Sequence, residues 1–467
     1  MAARSKAREI LAAAIRGAEP RGAVQRALLE QSACRALLAR VNIAEGDSSV
    51  RNGAVFNKVI LTGQGKAAVQ MCSAALEQLQ KSEPKVSGAV KGGLIVTKHG
   101  HVSSKEREEL AKASIRVAEA GHPLPDAEGV KATSELLQLA EEADERTLVL
   151  NFISGGGSAL TCLPAEGLSL EDIQKTVELL LGSGAPIEDM NTVRRHLTLF
   201  QGGRFAASLY PATVVSFILS DVVGDPLEVI AGGSTSPDPT SFEDCKEILK
   251  DPSYGIASAI PPAVWTFLDQ DKASLDVLET CKPGSTSLEK TTNLIVASNR
   301  ESLLAAKTEA TKMGYNAKIL TSQMQGEARH AASFLVGIAR DARDQGTFGK
   351  LPACILVGGE TTVTLSREAA SGLGGRNQEL ALAAAISLSQ EHGITLLAAG
   401  TDGQDGPCDA AGAVVDGEVC RSREELARAK KHLASHNSYG FFQDSEAHIK
   451  VGPTGTNVMD LCILLVE

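Results

Sequence analysis

A two-domain α/β chain is predicted by three observations: the length, a repeated alternation of short apolar runs with helical stretches, and the polar, glycine-rich ends of those runs. At 467 residues the chain exceeds what one core ordinarily organises, so two domains are expected. The alternation calls for a mostly parallel sheet covered by helices. Ligands in such folds gather beyond the carboxyl ends of the strands, and that is where Gly, Ser, Asp and Lys close several of the apolar runs.

Taken in order, Arg4-Ser5-Lys6-Ala7-Arg8 and the alanine-rich stretch after it have the composition of a mitochondrial transit peptide. Ile10, Leu11, Ala14 and Ile15 nevertheless fall at helical spacing, and Glu19-Pro20 supplies a stop, which favours an opening amphipathic helix. From Val55 to about Ser220 come the strand-like runs VILTG, GLIVTK, SIRVAEAG, LVLNFISGGG and VVSFILSD. The Pro/Ser/Asp-rich segment Gly232 to Thr240 and the stretch Asp251 to Thr291 break this rhythm and are expected to carry the crossing between domains. After Leu294 it resumes with NLIVAS, NAKILT, CILVGGE, ITLLAAGTDG and LCILLVE, and helices are expected over Arg300 to Met313 and Gln378 to Leu388. The expected domains are therefore 1–245 and 246–467.

The formal charge of −11 disfavours a nucleic-acid partner, which needs a basic surface. A small anion remains compatible, because a few local cations outweigh remote surface charge. Nine cysteines without a C-x-x-C pair argue against a disulfide framework or structural zinc and fit a reducing cytoplasm. No apolar run approaches the roughly 20 residues of a membrane-spanning helix.

Five loops carry the candidate chemistry. In Thr62-Gly63-Gln64-Gly65-Lys66-Ala67-Ala68 a strand ends, two glycines permit a tight turn and a helix begins, so backbone N–H groups can face an anion. Gly63-x-Gly65-x-x-Ala68 also meets the dinucleotide fingerprint, which keeps an NAD(P) enzyme open. Against it, Lys66 puts a cation inside the turn and no clear acidic strand end follows. Ser154-Gly155-Gly156-Gly157-Ser158 lets backbone approach a ligand and expose a nest of N–H donors. Asp221 and Asp225 flank Gly224 and offer the hard oxygens that Mg²⁺ selects. Gly374-Gly375-Arg376-Asn377 opens a helix with the fork geometry that grips carboxylate or phosphate. Thr401-Asp402-Gly403-Gln404-Asp405-Gly406 brings two acids suited to a substrate hydroxyl or Mg²⁺. Glu360 and Asn457 lie in further polar loops, and His99 with His101 lacks the additional ligands of a zinc site.

These blocks resemble, in the same order and over nearly the whole chain, the class II glycerate kinase family of the glycerate 2-kinase type, with a C-terminal MOFRL-type domain. The resemblance rests on GQGKAA at Gly63, TKHGH at Thr97, EAGHPLPD at Glu119, ISGGGSAL at Ile153, NTVRRHL at Asn191, LSDVVGDPLEVIA at Leu219, GGET at Gly358, GGRNQELAL at Gly374, TDGQDGPCDAAGA at Thr401 and GPTGTNVMDL at Gly452. Some members of that family have carried a hydroxypyruvate reductase label.

The resemblance implies a Rossmann-like N-terminal domain, a second α/β domain, and catalysis in a cleft between them. It implies phosphorylation of D-glycerate by Mg²⁺ and ATP, at the 2-position, with Lys66 and Arg376 at the active site. Arg376, aided by Arg194 or Arg195, is expected to fix the glycerate carboxylate, and Lys66 with Gly155 to Ser158 to neutralise the transferring phosphoryl group. Asp402 is expected to orient the attacking hydroxyl or hold Mg²⁺, with Asp221, Asp225 and Asp405 as further metal ligands. Gly63, Gly65, Ser154, Asn377, Glu360 and Asn457 complete the expected substrate and phosphate contacts. The chain departs from the family pattern at Gln201 (commonly Lys), Ser234 (Pro), Cys408 (Thr) and Asn437, within His436-Asn437-Ser438-Tyr439. Two other readings stand beside the kinase: an NAD(P)-dependent hydroxypyruvate reductase, and a protein that only senses a phosphosugar or nucleotide.

Overall fold

The structure, a computed structural model, describes residues 2–41, 56–365, 372–443 and 445–467; Val55 lies outside them. The chain divides into two compact units. The N-terminal unit comprises Arg21–Leu219 and Pro226–Val296, and the C-terminal unit Met1–Pro20, Ser220–Asp225 and Ala297–Glu467.

In the N-terminal unit the strands are β1 (Lys58–Gln64), β2 (Val90–Lys98), β3 (Ile115–Ala120), β4 (Thr147–Ile153), β5 (Thr213–Leu219) and β6 (Thr291–Ala297). They form one sheet in the order β3-β2-β1-β4-β5-β6, and β1 to β5 pair in parallel. Every residue of β4 is buried, which is why its sequence is a continuous apolar run: helices cover both faces of a parallel sheet. The strand order reverses between β1 and β4. At such a switch point the loops leaving two adjacent strands part and open a crevice, and here those loops are Gly65–Lys66 and Ser154–Ser158.

A separate helical core lies in the same unit. Phe242, Cys245, Leu249, Ile260, Val264, Phe267 and Leu268 pack with Ile173, Val177, Leu180, Val193 and Leu197. This core, together with β6, ties residues 246–296 to the N-terminal unit. The division therefore falls after Val296 and not at the expected 245/246, and NLIVAS closes the first sheet instead of opening the second. Apolar periodicity marks a strand without saying which sheet it joins.

The C-terminal unit is built on β7 (Asn316–Met324), β8 (Ala353–Gly359), β9 (Ile394–Gly400), β10 (Gly412–Asp416), β11 (His448–Ile449) and β12 (Asp460–Val466), in the order β11-β10-β9-β12-β8-β7. Only β7 and β8 pair in parallel; the other pairings are antiparallel. Its two faces are covered by distinct apolar clusters. The opening helix α1 (Ala2–Gly17) belongs here: Ala7, Ile10, Leu11 and Ala14 are buried against Leu303, Ala306, Leu356, Leu397 and Ile463. Its ends are fastened as well. Arg4 pairs with Asp416, Ser302 Oγ donates to Ala14 O at 2.9 Å, and Thr456 Oγ1 donates to Ala18 O at 2.8 Å. Among the described residues no helix is long and apolar enough to cross a membrane.

Ile10 and Leu11 alone stand for about 1.5–3 kcal/mol each of burial. A variant lacking residues 1–18 should lose on the order of 5 kcal/mol from the C-terminal unit and expose the face of β9 and β12. Urea unfolding of the purified variant checks this; a midpoint equal to that of the full chain would show that α1 contributes nothing to the core.

Candidate functional site

The crevice at the carboxyl ends of β1 and β4 is formed by two loops that lock each other. Lys66 N donates to Gly155 O at 3.0 Å and Ser154 N to Gln64 O at 3.0 Å, while Ala67 N donates to Ser154 Oγ at 3.0 Å. The approach is so close that a side chain on Gly65, whose φ is +124°, would meet Ser154 Oγ at 2.3 Å. Gly63 is likewise pressed on Phe152 O, 2.8 Å from where a Cβ would lie. These glycines and Ser154 thus shape the loop; they were expected to touch ligand, and the Ser154 hydroxyl is instead taken by the Ala67 amide.

What this packing leaves open is the backbone of Gly155, Gly156, Gly157 and Ser158. None of these four N–H groups has an acceptor among the described residues. Gly156 adopts φ +87°, and Gly157 sits against Ala231, where a Cβ would approach to 2.6 Å. Successive unpaired amides in such a turn form a concavity for anions. Gln201 braces it from below by donating from Nε2 to Ser158 O at 3.0 Å, and Ser234 accepts from Gln64 Nε2 at 2.9 Å. Two of the departures from the family pattern therefore support the nest.

Cations surround this concavity. Lys66 has no carboxylate or hydrogen-bond partner for its ammonium among the described residues. Arg194 is deeply set, its guanidinium making one hydrogen bond among the described residues, to Asn191 Oδ1 at 3.5 Å, and burial pulls its pKa below the ordinary value. Arg195 points elsewhere. It is sealed inside the unit with Asp238 at 3.0 Å, the two side chains 4% and 0% exposed, a placement that suits fastening the unit. His99 pairs with Asp126 at 2.9 Å, and His101 lies beside the Lys66 backbone.

His122, which the residue-by-residue reading did not single out, also reaches the nest. A Cβ on Gly156 would meet the His122 ring at 2.9 Å and Lys66 Cε at 3.2 Å, so the imidazole and the end of the lysine side chain converge on one glycine. In the sequence His122 stood within the block EAGHPLPD, two residues past the end of β3, with nothing to assign it a role of its own.

The C-terminal unit holds a polar cluster of its own, acids gathered around one arginine. Arg376, first residue of the helix Arg376–Ser387, is clamped by Asp460, from Nε at 2.5 Å and Nη2 at 2.9 Å, and pairs with Glu360 at 3.1 Å. Its Nη1 has no hydrogen bond or ion pair among the described residues. Asp460 was missed because it opens the apolar run of β12 and reads as a strand residue. Although burial opposes its charge, the Asp460 and Glu360 carboxylates hold Arg376 above its ordinary pKa. Glu360 is pushed up by burial, against the pull of Arg376, with Asp460, Asp221 and Asp402 adding to the rise.

Two expected ligand residues prove to be internal. Asp405 Oδ1 accepts from Asn377 N and Nδ2, at 3.0 and 3.3 Å, and Oδ2 from Gln378 N and Nε2, at 2.8 and 3.0 Å. Its carboxyl is raised to about 6 by burial, with the Gln378 and Asn377 amides opposing. Both oxygens hold the start of the Arg376 helix. Asn377 is buried and bridges Asp405 to Asp460. Asn457 Oδ1 accepts from Met459 N at 3.1 Å. Asn437 caps Ser438–Phe442 through Gly440 N, and Cys408 lies against Asp405 O. Asp225 is half-buried with φ +56°, and burial raises its carboxyl, with Ser220 opposing. Among the described residues no three His, Cys, Asp or Glu side chains are arranged as a metal cage. That leaves room for Mg²⁺, which keeps several waters and takes one or two carboxylates. The donors beside Glu360, namely Asp221 and Asp402, are of the right hard-oxygen type.

Comparison with known proteins matches two family models, one lying mostly over the N-terminal unit and one within the C-terminal unit. A family model described as a domain of unknown function (DUF4147) matches residues 6–269, and one described as the MOFRL family matches residues 353–460. The chain is 39% identical over 414 residues to a D-glycerate 2-kinase from Thermotoga maritima, covering 88% of this chain and 91% of that protein. It is 39% identical over 436 residues to a glycerate 2-kinase from Pyrococcus horikoshii, covering 92% and 93%. The crystal structure of a glycerate kinase from Thermotoga maritima superimposes with a TM-score of 0.83 at 37% identity, covering 100% of both chains.

Proposed function

Because the chain belongs to the glycerate kinase family, we propose that it transfers the terminal phosphoryl group of ATP to the 2-hydroxyl of D-glycerate, with Mg²⁺ as the metal. The observation that carries this reading is the nest of four unpaired amides beside an uncompensated lysine and arginine, an arrangement suited to a transferring phosphoryl group and a small carboxylate. The names of its relatives favour the 2-position and D-glycerate.

In this mechanism the Gly155 to Ser158 amides and Lys66 take up negative charge on the phosphoryl group, and Arg194 holds the carboxylate. Arg376, oriented by Asp460, donates through Nη1 to charge developing in the transition state. Asp221 and Asp402, with Glu360, would hold Mg²⁺, which when bound neutralises and orients the nucleotide phosphates. Catalysis is then mostly positioning and electrostatics. Nine unpaired thiols, most of them buried, fit the reducing cytoplasm proposed as its compartment.

The reductase reading is disfavoured locally. β2 ends in Thr97-Lys98, where a dinucleotide fold places an acid for the ribose, and Gly65 is required by Ser154 and not by a pyrophosphate. The deciding experiment is incubation of the purified protein with D-glycerate and Mg·ATP, read by phosphorus NMR and mass spectrometry. 2-Phosphoglycerate is expected; a folded protein that forms no phosphorylated product would end the kinase reading.

A further inference from the structure

We propose that His122 is the base of the reaction: one ring nitrogen accepts the hydrogen bond of the glycerate hydroxyl and takes its proton as the hydroxyl oxygen attacks the terminal phosphorus of ATP. The inference rests on the kinase reading above. In the step, the O–H bond breaks with its proton passing to His122, the new O–P bond forms, and the bond from the terminal phosphorus to the bridging oxygen breaks, leaving ADP.

Three observations lead to His122. It converges with Lys66 on Gly156, at the mouth of the amide nest. Neither ring nitrogen has a hydrogen-bond partner among the described residues, although the ring is half-buried, and a polar group so placed normally has one. Around the nest four amides, an ammonium and a guanidinium have no lone pair to offer a hydroxyl proton, the Ser158 hydroxyl is too weak a base to take one, and the other imidazole, His101, is hydrogen-bonded to the Lys66 backbone. The carboxylates nearest in the chain are engaged. Asp126 binds His99 and Gly129 N, and Glu119 binds Gly100 N and Arg107.

The charges that face His122 come from every neighbouring element: Lys66 after β1, Lys98 at the end of β2, His101 in the loop beyond, and Arg194 from the helix Ile187–Leu197. Burial first, and then these cations, hold its pKa down at about 4. The ring is therefore neutral, with a lone pair available, across the physiological range. A weak base suffices where the transition state is loose and the hydroxyl proton leaves late. Anions entering the pocket offset the surrounding cations, so proton affinity rises once substrates are bound.

The test is a pair of pH profiles. In the wild type the acidic limb of kcat should lie at higher pH than that of kcat/KM, because the former reports the occupied site and the latter the free one. His122→Gln should lower kcat by about 10²-fold or more, leave KM for ATP within about threefold, and abolish the acidic limb of kcat. Imidazole added to His122→Ala should restore part of the lost rate. A His122→Gln enzyme that keeps wild-type kcat, or keeps the acidic limb, overturns the proposal. So does a wild-type kcat limb at or below that of kcat/KM, a result that needs no folded variant. If the wild type makes no phosphoglycerate at all, the kinase reading itself falls; if it does and His122→Gln is fully active, only this inference falls.

Discussion

Lys66→Ala should lower kcat with D-glycerate and Mg·ATP by at least about 10²-fold while leaving the melting temperature nearly unchanged. The two halves of that expectation have the same origin. The Lys66 ammonium makes no ion pair or hydrogen bond within the protein among the described residues, so removing it costs the fold about as little as an ordinary surface change, within about 0.5 kcal/mol. The backbone of Lys66 does the structural work through Gly155 O, and alanine keeps it. Turnover and thermal melting of the same preparation would decide: a variant that turns over normally removes Lys66 from the mechanism, and one that melts much earlier shows a structural role that the contacts do not contain.

The neighbouring arginines should separate in the opposite sense. Arg195→Met strands the fully buried Asp238 carboxylate, which among the described residues keeps Thr240 N and Oγ1 as donors. Breaking a buried pair by removing one partner costs about 3–5 kcal/mol, equivalent to a fall on the order of 10 °C in a unit of this size. Arg194→Met removes a buried cation that has no carboxylate partner, so stability should hold or rise while KM for D-glycerate increases about tenfold or more. Calorimetry and steady-state kinetics on both variants test the pair together. Equal melting temperatures for the two would mean that the Arg195–Asp238 pair is not the one that fastens the unit.

Much of this was legible beforehand, and the parts that were not share a physical reason. Buried parallel strands announce themselves as continuous apolar runs, so β1 to β5 were readable, whereas β10, five residues long, and β11, only two, fall below what periodicity can register. The boundary at Val296 was hidden because β6 reads like any other apolar strand until its neighbour in space is known. In the site, glycine loops advertise a close backbone approach, and the nest at Gly155 to Ser158 was found on that signal alone. A carboxylate or amide looks the same in sequence whether it faces a ligand or caps a helix. Asp405 and Asn377 were for that reason expected in the site, and Asp460 and His122 were not.

The docking of α1 on the C-terminal unit has a consequence for the order of events during synthesis. β12, which stands between β9 and β8, is made from residues 460–466, so the surface that receives Ile10 and Leu11 cannot be complete until some 440 residues after α1 itself has left the ribosome. The N-terminal unit, lacking no strand beyond β6, can close much earlier. Through most of that interval α1 is an amphipathic segment whose first partner is the helix Asn299–Lys312, and a nascent chain halted before β12 leaves part of its apolar face uncovered.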